Sequence, residues 1–349
     1  MIRAGTHWVE RLQGRRPWRL RLLVLAISQR CDQKCVHCDI WMGPRGPQAA
    51  LTTSERLRVV EEALAAGARE ALVTGGEPLL SPDLWPLAER LRAARAHLML
   101  ATNGMLLARH ATALAAAFDE LYVSLDGASP SSHDGLRGVP AFERLRDGLR
   151  AVRSHERRPQ LIARSTLHAR NLHEVEELVA AARELGFDRI SFLPLDASSD
   201  AFGGSPATRA ALVPGPSGLE LLQRGLERLE ARGELGAFVV EDAPRLARLV
   251  AHLQASAGLR SFERPACDTP WWSSVVEADG SVRPCFFHQP VGDARSGLAS
   301  LRASAAYRDA LQLARRPNPT CERCVCPRLR GPAWLEGLAA LRGGRVATG

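Results

Sequence analysis

The sequence predicts an α/β protein: an open (β/α)6 partial TIM barrel followed by a small α+β cysteine-rich domain. Three observations carry this. Six apolar, strand-like segments alternate with helical ones between residues 20 and 200, as parallel βαβ units require. Six units are too few to close an eight-stranded barrel, so the sheet stays open. Five of the eight cysteines lie in the last quarter of the chain, beyond the last unit. The organisation read from this is an extension over 1–19, the barrel over 20–200, a linker with bridging helices over 201–260, the cysteine-rich domain over 261–330 and a tail over 331–349.

The elements follow in order. "LRLLVLAIS" is the first strand and runs into a loop carrying Cys31, Cys35 and Cys38, a C-x3-C-x2-C run. A helix begins near Thr52 and Thr53, with Ser54 and Glu55 in its first turn and Leu57, Val60 and Leu64 as its apolar stripe, and Gly67 stops it. The strand Ala71 to Thr74 opens into Gly75, Gly76, Glu77 and Pro78. Two glycines allow close backbone approach to a ligand, and a carboxylate beside them can pair with an ammonium group. "HLMLATNG" ends in Thr102, Asn103 and Gly104; "ELYVSLDG" ends in Ser124 and Asp126; "LIARSTL" carries Arg164 and Thr166; "RISFLPL" ends near Leu195. The clearest helix between them spans 172–186. Working residues of such folds sit at the C-terminal ends of the strands, where Ser28, Thr74, Thr102, Asn103, Ser124 and Asp126 fall.

Beyond the barrel, 196–218 is rich in Gly, Pro, Ser and Ala and reads as a connector or a loop over the barrel mouth. Helices are predicted near 219–232 and 244–257. In "WWSSVVEADGSVRPCFF", Asp279 and Gly280 suit a type I′ hairpin turn between Val275, Val276 and Val282. The hairpin carries Cys285. With Cys267 upstream and Cys321, Cys324 and Cys326 downstream, it can gather four thiolates around one inorganic centre. The tail holds a short helix and then frays.

Three thiolates on one loop can hold three irons of a 4Fe-4S cubane and leave the fourth open, or form a zinc knot. The loop resembles that of the radical S-adenosylmethionine (SAM) enzymes, which often place a ring-bearing residue before the third cysteine, here His37. The resemblance extends to Gly75, Gly76, Glu77 and Pro78, whose family counterpart contacts the amino group of SAM. It implies adenosine or methionine contacts for Thr102 and Asn103, and a carboxylate or ribose contact for Ser124. The stretch "SLDGASPSSHDGLRG", with His133, Asp134 and Arg137, is similar to one recurrent in the auxiliary-cluster branch of the family. The C-terminal cysteines, Cys267 and Cys285 in a C-x12-G-x4-C pattern followed by C-x2-C, resemble the "twitch" form of the SPASM domain, which holds one auxiliary 4Fe-4S cluster. Either Cys321 and Cys324 complete that site, leaving Cys326 spare, or Cys326 replaces one of them; the first is favoured. A four-thiolate zinc ribbon fits the same spacing.

The resemblance implies SAM and two 4Fe-4S clusters as cofactors, a reductant such as flavodoxin or ferredoxin, and an oxidoreductase. Its chemistry would be reductive cleavage of SAM to a 5′-deoxyadenosyl radical, hydrogen abstraction from a substrate at the barrel mouth, and oxidation or cross-linking assisted by the auxiliary cluster. Asp126 and Arg164 are the candidate catalytic residues, and Asp196, Trp272 and His288 further candidate substrate contacts. Only 30 residues precede Cys31, too few for the winged-helix recognition domain of peptide-modifying relatives. A small molecule or short peptide is therefore expected, with a peptide maturase using a separate recognition protein as the alternative. A non-catalytic metalloprotein binding a partner through its Arg-rich surface is the reading from another class.

Composition narrows the classes. A hydrophobic content of 46% over 349 residues supports a filled core and about two domains. No apolar run spans a bilayer, the Arg-rich start lacks a signal-peptide core, and eight cysteines in metal-ligand patterns fit a reducing cytoplasm. The net charge of +8 is almost all Arg, Lys34 being the sole lysine, and alternates with acids along helix faces. That is the pattern of a solvated surface and weak support for nucleic acid.

Overall fold

The computed structural model describes residues 20–42, 49–199, 209–265 and 267–326; the extension over 1–19 and the tail helix lie outside them. β1 (Leu22–Ala26), β2 (Glu70–Thr74), β3 (His97–Thr102), β4 (Glu120–Ser124), β5 (Gln160–Leu167) and β6 (Arg189–Pro194) pair in parallel succession. They alternate with α1 (Thr53–Ala65), α2 (Leu84–Ala93), α3 (Leu107–Ala117), α4 (Pro130–Arg137), α5 (Phe142–Arg153) and α6 (Val175–Leu185). The six expected units are present.

α1 starts at a capping box: Thr52 accepts from the Glu55 amide, and the Glu55 carboxylate accepts from the Thr52 amide. Its buried face runs through Arg56, Val59, Val60 and Ala63, one step round from the expected stripe. Leu57 and Leu64 are half-buried at its margin, because the stripe is wide and Arg56 is drawn in by an ion pair to Asp83.

One face of the sheet carries the main core, with Leu23, Leu25, Val73, Leu98, Leu100, Leu121, Val123 and Ala163 packed beneath the helices. The other face alternates with it in register. Leu72, Thr74, Ala101, Tyr122, Ser124, Arg164, Thr166 and Leu193 are all half-exposed there. This open concave face is the inside that a closed barrel would have filled.

α7 (Pro216–Ala231) and α8 (Ala243–Ser256) pack beside α6 and β6. The chain then crosses the molecule through a single-turn helix, α9 (Thr269–Trp272), to β7 (Ser273–Val276), β8 (Ser281–Arg283) and β9 (Gly292–Asp293). β7 pairs in parallel with the free edge of β1, so the cysteine-rich segment extends the barrel sheet to nine strands in the order β6-β5-β4-β3-β2-β1-β7-β8-β9. The β7–β8 turn is not type I′, which needs positive φ at both central residues. Only Gly280 (φ 96) has it, and Gly280 N–H bonds to Glu277 O (3.0 Å), making a longer loop with glycine in the left-handed position. α10 (Leu298–Ala303), α11 (Ala305–Arg315) and α12 (Pro319–Glu322) complete the segment. Buried Arg302 and Tyr307 both donate to Ser273 O, at 3.1 and 2.9 Å, and pin these helices to β7.

Several surface arginines are paired, as with Arg158–Asp188 (2.6 Å) and Arg183–Glu234 (2.7 Å). Among the described residues no helix is long and apolar enough to cross a membrane.

Candidate active site

The cysteine loop leaves the C-terminal end of β1 and is held there by backbone. Gly76 N–H donates to Ser28 O (2.7 Å) and Glu77 N–H to Arg30 O (2.8 Å). A Cβ at Gly75 would lie 2.4 Å from Ser28 O, and one at Gly76 would lie 2.2 Å from Arg30 O. The two glycines therefore admit the chain's own backbone at this point.

Glu77 is fully buried and its carboxylate turns inward. It accepts from Leu79 N (3.0 Å), Thr102 Oγ1 (2.8 Å) and Asn103 N (2.7 Å). Burial pushes its pKa up to about 7 against those donors. Pro78 starts a 3-10 turn of which Glu77 is the N-cap. Thr102 lies on the helix-facing side of β3, which is why its hydroxyl reaches Glu77 and not the concave face. Asn103 Nδ2 donates to Asp32 Oδ1 (2.6 Å) and approaches Cys31 Sγ (3.8 Å). Glu77, Thr102 and Asn103 thus form one brace from β2 and β3 to the cysteine loop. Asp32, a member of that brace, carried no signal beyond its place between two cysteines.

Asp126 is also fully buried. It pairs with Arg137 (2.5 Å), accepts from Thr166 N (2.8 Å) and lies 3.7 Å from His37 Nε2. Burial pushes its pKa up, and Arg137 and His37 outweigh that and hold it below the usual carboxylate range. His37 faces Asp126 and the His168 ring (5.6 Å between centroids), and burial lowers its pKa while Asp126 opposes that. Ser124 and Arg164, like Thr74, do face the open side. They are direct register partners on β4 and β5, and the Arg164 guanidinium lies 4.7 Å from the Tyr122 ring centroid.

Asp196 is buried in a turn, accepting from Ser198 N and Ser199 N (both 3.0 Å). Trp272 Nε1 donates to Asp268 (2.9 Å), and His288 Nε2 meets Cys321 Sγ (3.5 Å).

The thiols fit iron-sulfur ligation. Arg137 Nη1 lies 3.4 Å from Cys35 Sγ, and Asn103 reaches Cys31, the N–H to sulfur contacts that tune such centres. Burial holds Cys31 and Cys38 near 11 as free thiols, poised to be stabilised as thiolates by a metal. At the second group Cys285 is raised to about 12, by burial first and by Cys267 and Cys326 nearby. Cys324 is raised by burial and by Cys326, Cys267 and Cys285. Cys267 lies near Cys285, Cys324 and Cys321 alike, Cys326 lies near Cys285 and Cys324, and Cys321, the expected ligand, also sits against His288.

Comparison with known proteins gives this arrangement a family. Residues 25–195 match the Radical SAM superfamily, and residues 267–325 match SPASM, an iron-sulfur cluster-binding domain. A GTP 3′,8-cyclase of Streptomyces coelicolor is 31% identical over 315 residues, covering 85% of this chain and 86% of that one. The chain belongs to the radical SAM superfamily. As a radical SAM enzyme it uses SAM and 4Fe-4S clusters, which sets aside zinc at either cysteine group and the non-catalytic reading. An AdoMet-dependent heme synthase of Methanosarcina barkeri is 35% identical over 169 residues, 48% of each chain, so this radical SAM chain spans about half the length of that relative. The fold is that of Streptococcus suis SuiB bound to the precursor peptide SuiA (TM-score 0.68, 17% identity, covering 92% of this chain and 74% of that one).

Proposed function

We propose that this radical SAM enzyme carries out a two-electron oxidation, including oxidative bond formation, on a substrate seated on the concave face between its two cysteine groups. The observation that carries it is the pairing of β7 with β1. Cys31, Cys35 and Cys38 follow the C-terminal end of β1. Ser273 Oγ donates to Pro284 O (2.8 Å), which sets Cys285 beside the other end of the same strand pair. The two groups therefore stand at opposite ends of a strand, roughly 15 Å of extended chain.

Cys31, Cys35 and Cys38 would hold the first cluster, and Cys267, Cys285, Cys324 and Cys326 the auxiliary one, with Cys321 held by His288. When bound, the first cluster and SAM supply one-electron cleavage of the sulfonium bond and a 5′-deoxyadenosyl radical. Arg164 and Ser124 supply a cation and a hydroxyl side by side, which suit a carboxylate, that of SAM or of the substrate. Tyr122, Leu72 and Ala101 line the apolar part of the same face. The brace of Glu77, Thr102 and Asn103 fixes the loop under them.

A small molecule fits the half-exposed face and the activity in the Streptomyces relative's name. A peptide is the second reading, supported by the likeness to SuiB with its precursor peptide. The test is anaerobic reconstitution with iron and sulfide and dithionite reduction, reading 5′-deoxyadenosine and iron, with GTP and short peptides as probe substrates. Wild type is expected to cleave SAM and hold about eight irons. C285S should still cleave SAM and yield no oxidised product. Equal product from C285S overturns the proposal.

A further inference from the structure

The stretch from Asp126 to Gly138, whose role the sequence left open, is a clamp on the first cysteine loop. Ser129 caps α4, Glu174 accepts from Ala128 N (2.9 Å) and Ser132 Oγ (2.7 Å), and Asp134 accepts from Ala141 N and Phe142 N (both 2.8 Å). α4 is thereby fixed to its neighbours. Its C-terminal end then grips the loop: Lys34 N–H donates to Arg137 O and Val36 N–H to Leu136 O (both 3.0 Å). Gly138 (φ 70) closes the contact, since a Cβ there would lie 2.5 Å from Lys34 O.

From this clamp the Arg137 guanidinium reaches three groups: Cys35 Sγ (3.4 Å), Gln33 Oε1 (3.5 Å) and Asp126 Oδ2 (2.5 Å). Arg137 is 6% exposed, Cys35 8% and Asp126 0%. His37, His133 and His168 complete the surroundings of Asp126. A buried cation donating to a ligand sulfur favours the more negative, reduced state of an iron-sulfur centre, and a buried anion behind it opposes that. Water is excluded, so neither charge is screened.

We propose that the Asp126–Arg137 pair sets the reduction potential of the first centre through Cys35, Arg137 as a positioning residue that favours the reduced form and Asp126 as its counterweight. One electron enters the centre, and no bond or proton changes at either residue. The proposal concerns the SAM-binding centre alone and does not depend on the substrate.

The test is an EPR-monitored redox titration of the reconstituted enzyme with dithionite, the first centre being the one whose signal changes on adding SAM. R137Q should move its midpoint more negative by about 59 mV or more, a tenfold loss in the one-electron equilibrium. D126N should move it the other way, and R137K, which keeps the charge, should stay within that margin of wild type. Midpoints unchanged in R137Q and D126N, or displaced in the same direction, overturn the proposal. Should R137Q fail to fold, D126N against R137K decides it by the same criterion. A wild-type centre that ignores SAM would instead count against the family assignment.

Discussion

Gly76→Ala is the sharpest perturbation of the cysteine loop. The new Cβ would meet Arg30 O at 2.2 Å and Arg30 C at 2.7 Å, both backbone atoms with no rotamer to escape into. Ordinary carbon contacts start near about 3.5 Å, so the two segments must part by about 1 Å. Such a shift breaks the Gly76–Ser28 and Glu77–Arg30 hydrogen bonds, at about 1 kcal/mol each, with overpacking of about 1–3 kcal/mol in addition. The total of roughly 3–5 kcal/mol falls on the residue directly before Cys31. We expect G76A to lose the first cluster and keep the auxiliary one, so iron drops from about eight to about four per chain and SAM cleavage disappears. Gly135→Ala is the control, with nothing within 4 Å of its Cβ. Full iron and full SAM cleavage in G76A would refute the reasoning.

Further outcomes follow from the same geometry. Thr102→Val removes one of three donors to a fully buried carboxylate and should cost about 1–3 kcal/mol in denaturant unfolding; no change would mean that Glu77 is not held as described. C326S should halve the iron content while C321S leaves it near wild type, and the reverse result would restore the expected ligand pair. His133 and His252 are held near 4 and His168 near 3 by burial. The native state keeps them neutral while the unfolded chain takes up protons near 6.5, so their contribution is complete above that pH and is lost as pH falls toward 4. The slope is about 1.4 kcal/mol per pH unit for each, and a melting temperature flat between pH 7 and 5 would contradict it.

The barrel was legible because strand and helix periods alternate with few interruptions and because turn residues mark each strand end. The cysteine spacing was legible for a different reason: metal ligation fixes residue type and interval together. What the sequence hid were relations across distance. Parallel pairing of Ser273–Val276 with Leu22–Ala26 joins segments some 250 residues apart and leaves no local pattern. Asp126 looked like an open acid from its place after a strand; only the fold brings Arg137 against it. Thr102 and Ser124 looked alike as polar strand ends, yet they lie on opposite faces of the sheet, a difference decided by where each strand starts its alternation. The Asp279–Gly280 turn was right in position and wrong in type, because the register of β7 against β8 sets the loop length.

Since β7 occupies the bare side of β1, the strand that launches the first cysteine loop acquires this neighbour only when residue 273 has emerged from the ribosome. Until then a row of unpaired amides and carbonyls on a wholly apolar strand stands open to other nascent chains. The loop itself is gripped earlier, by Gly76, Glu77, Leu136 and Arg137, so the late arrival of β7 closes the strand edge and brings the second cysteine group to its far end.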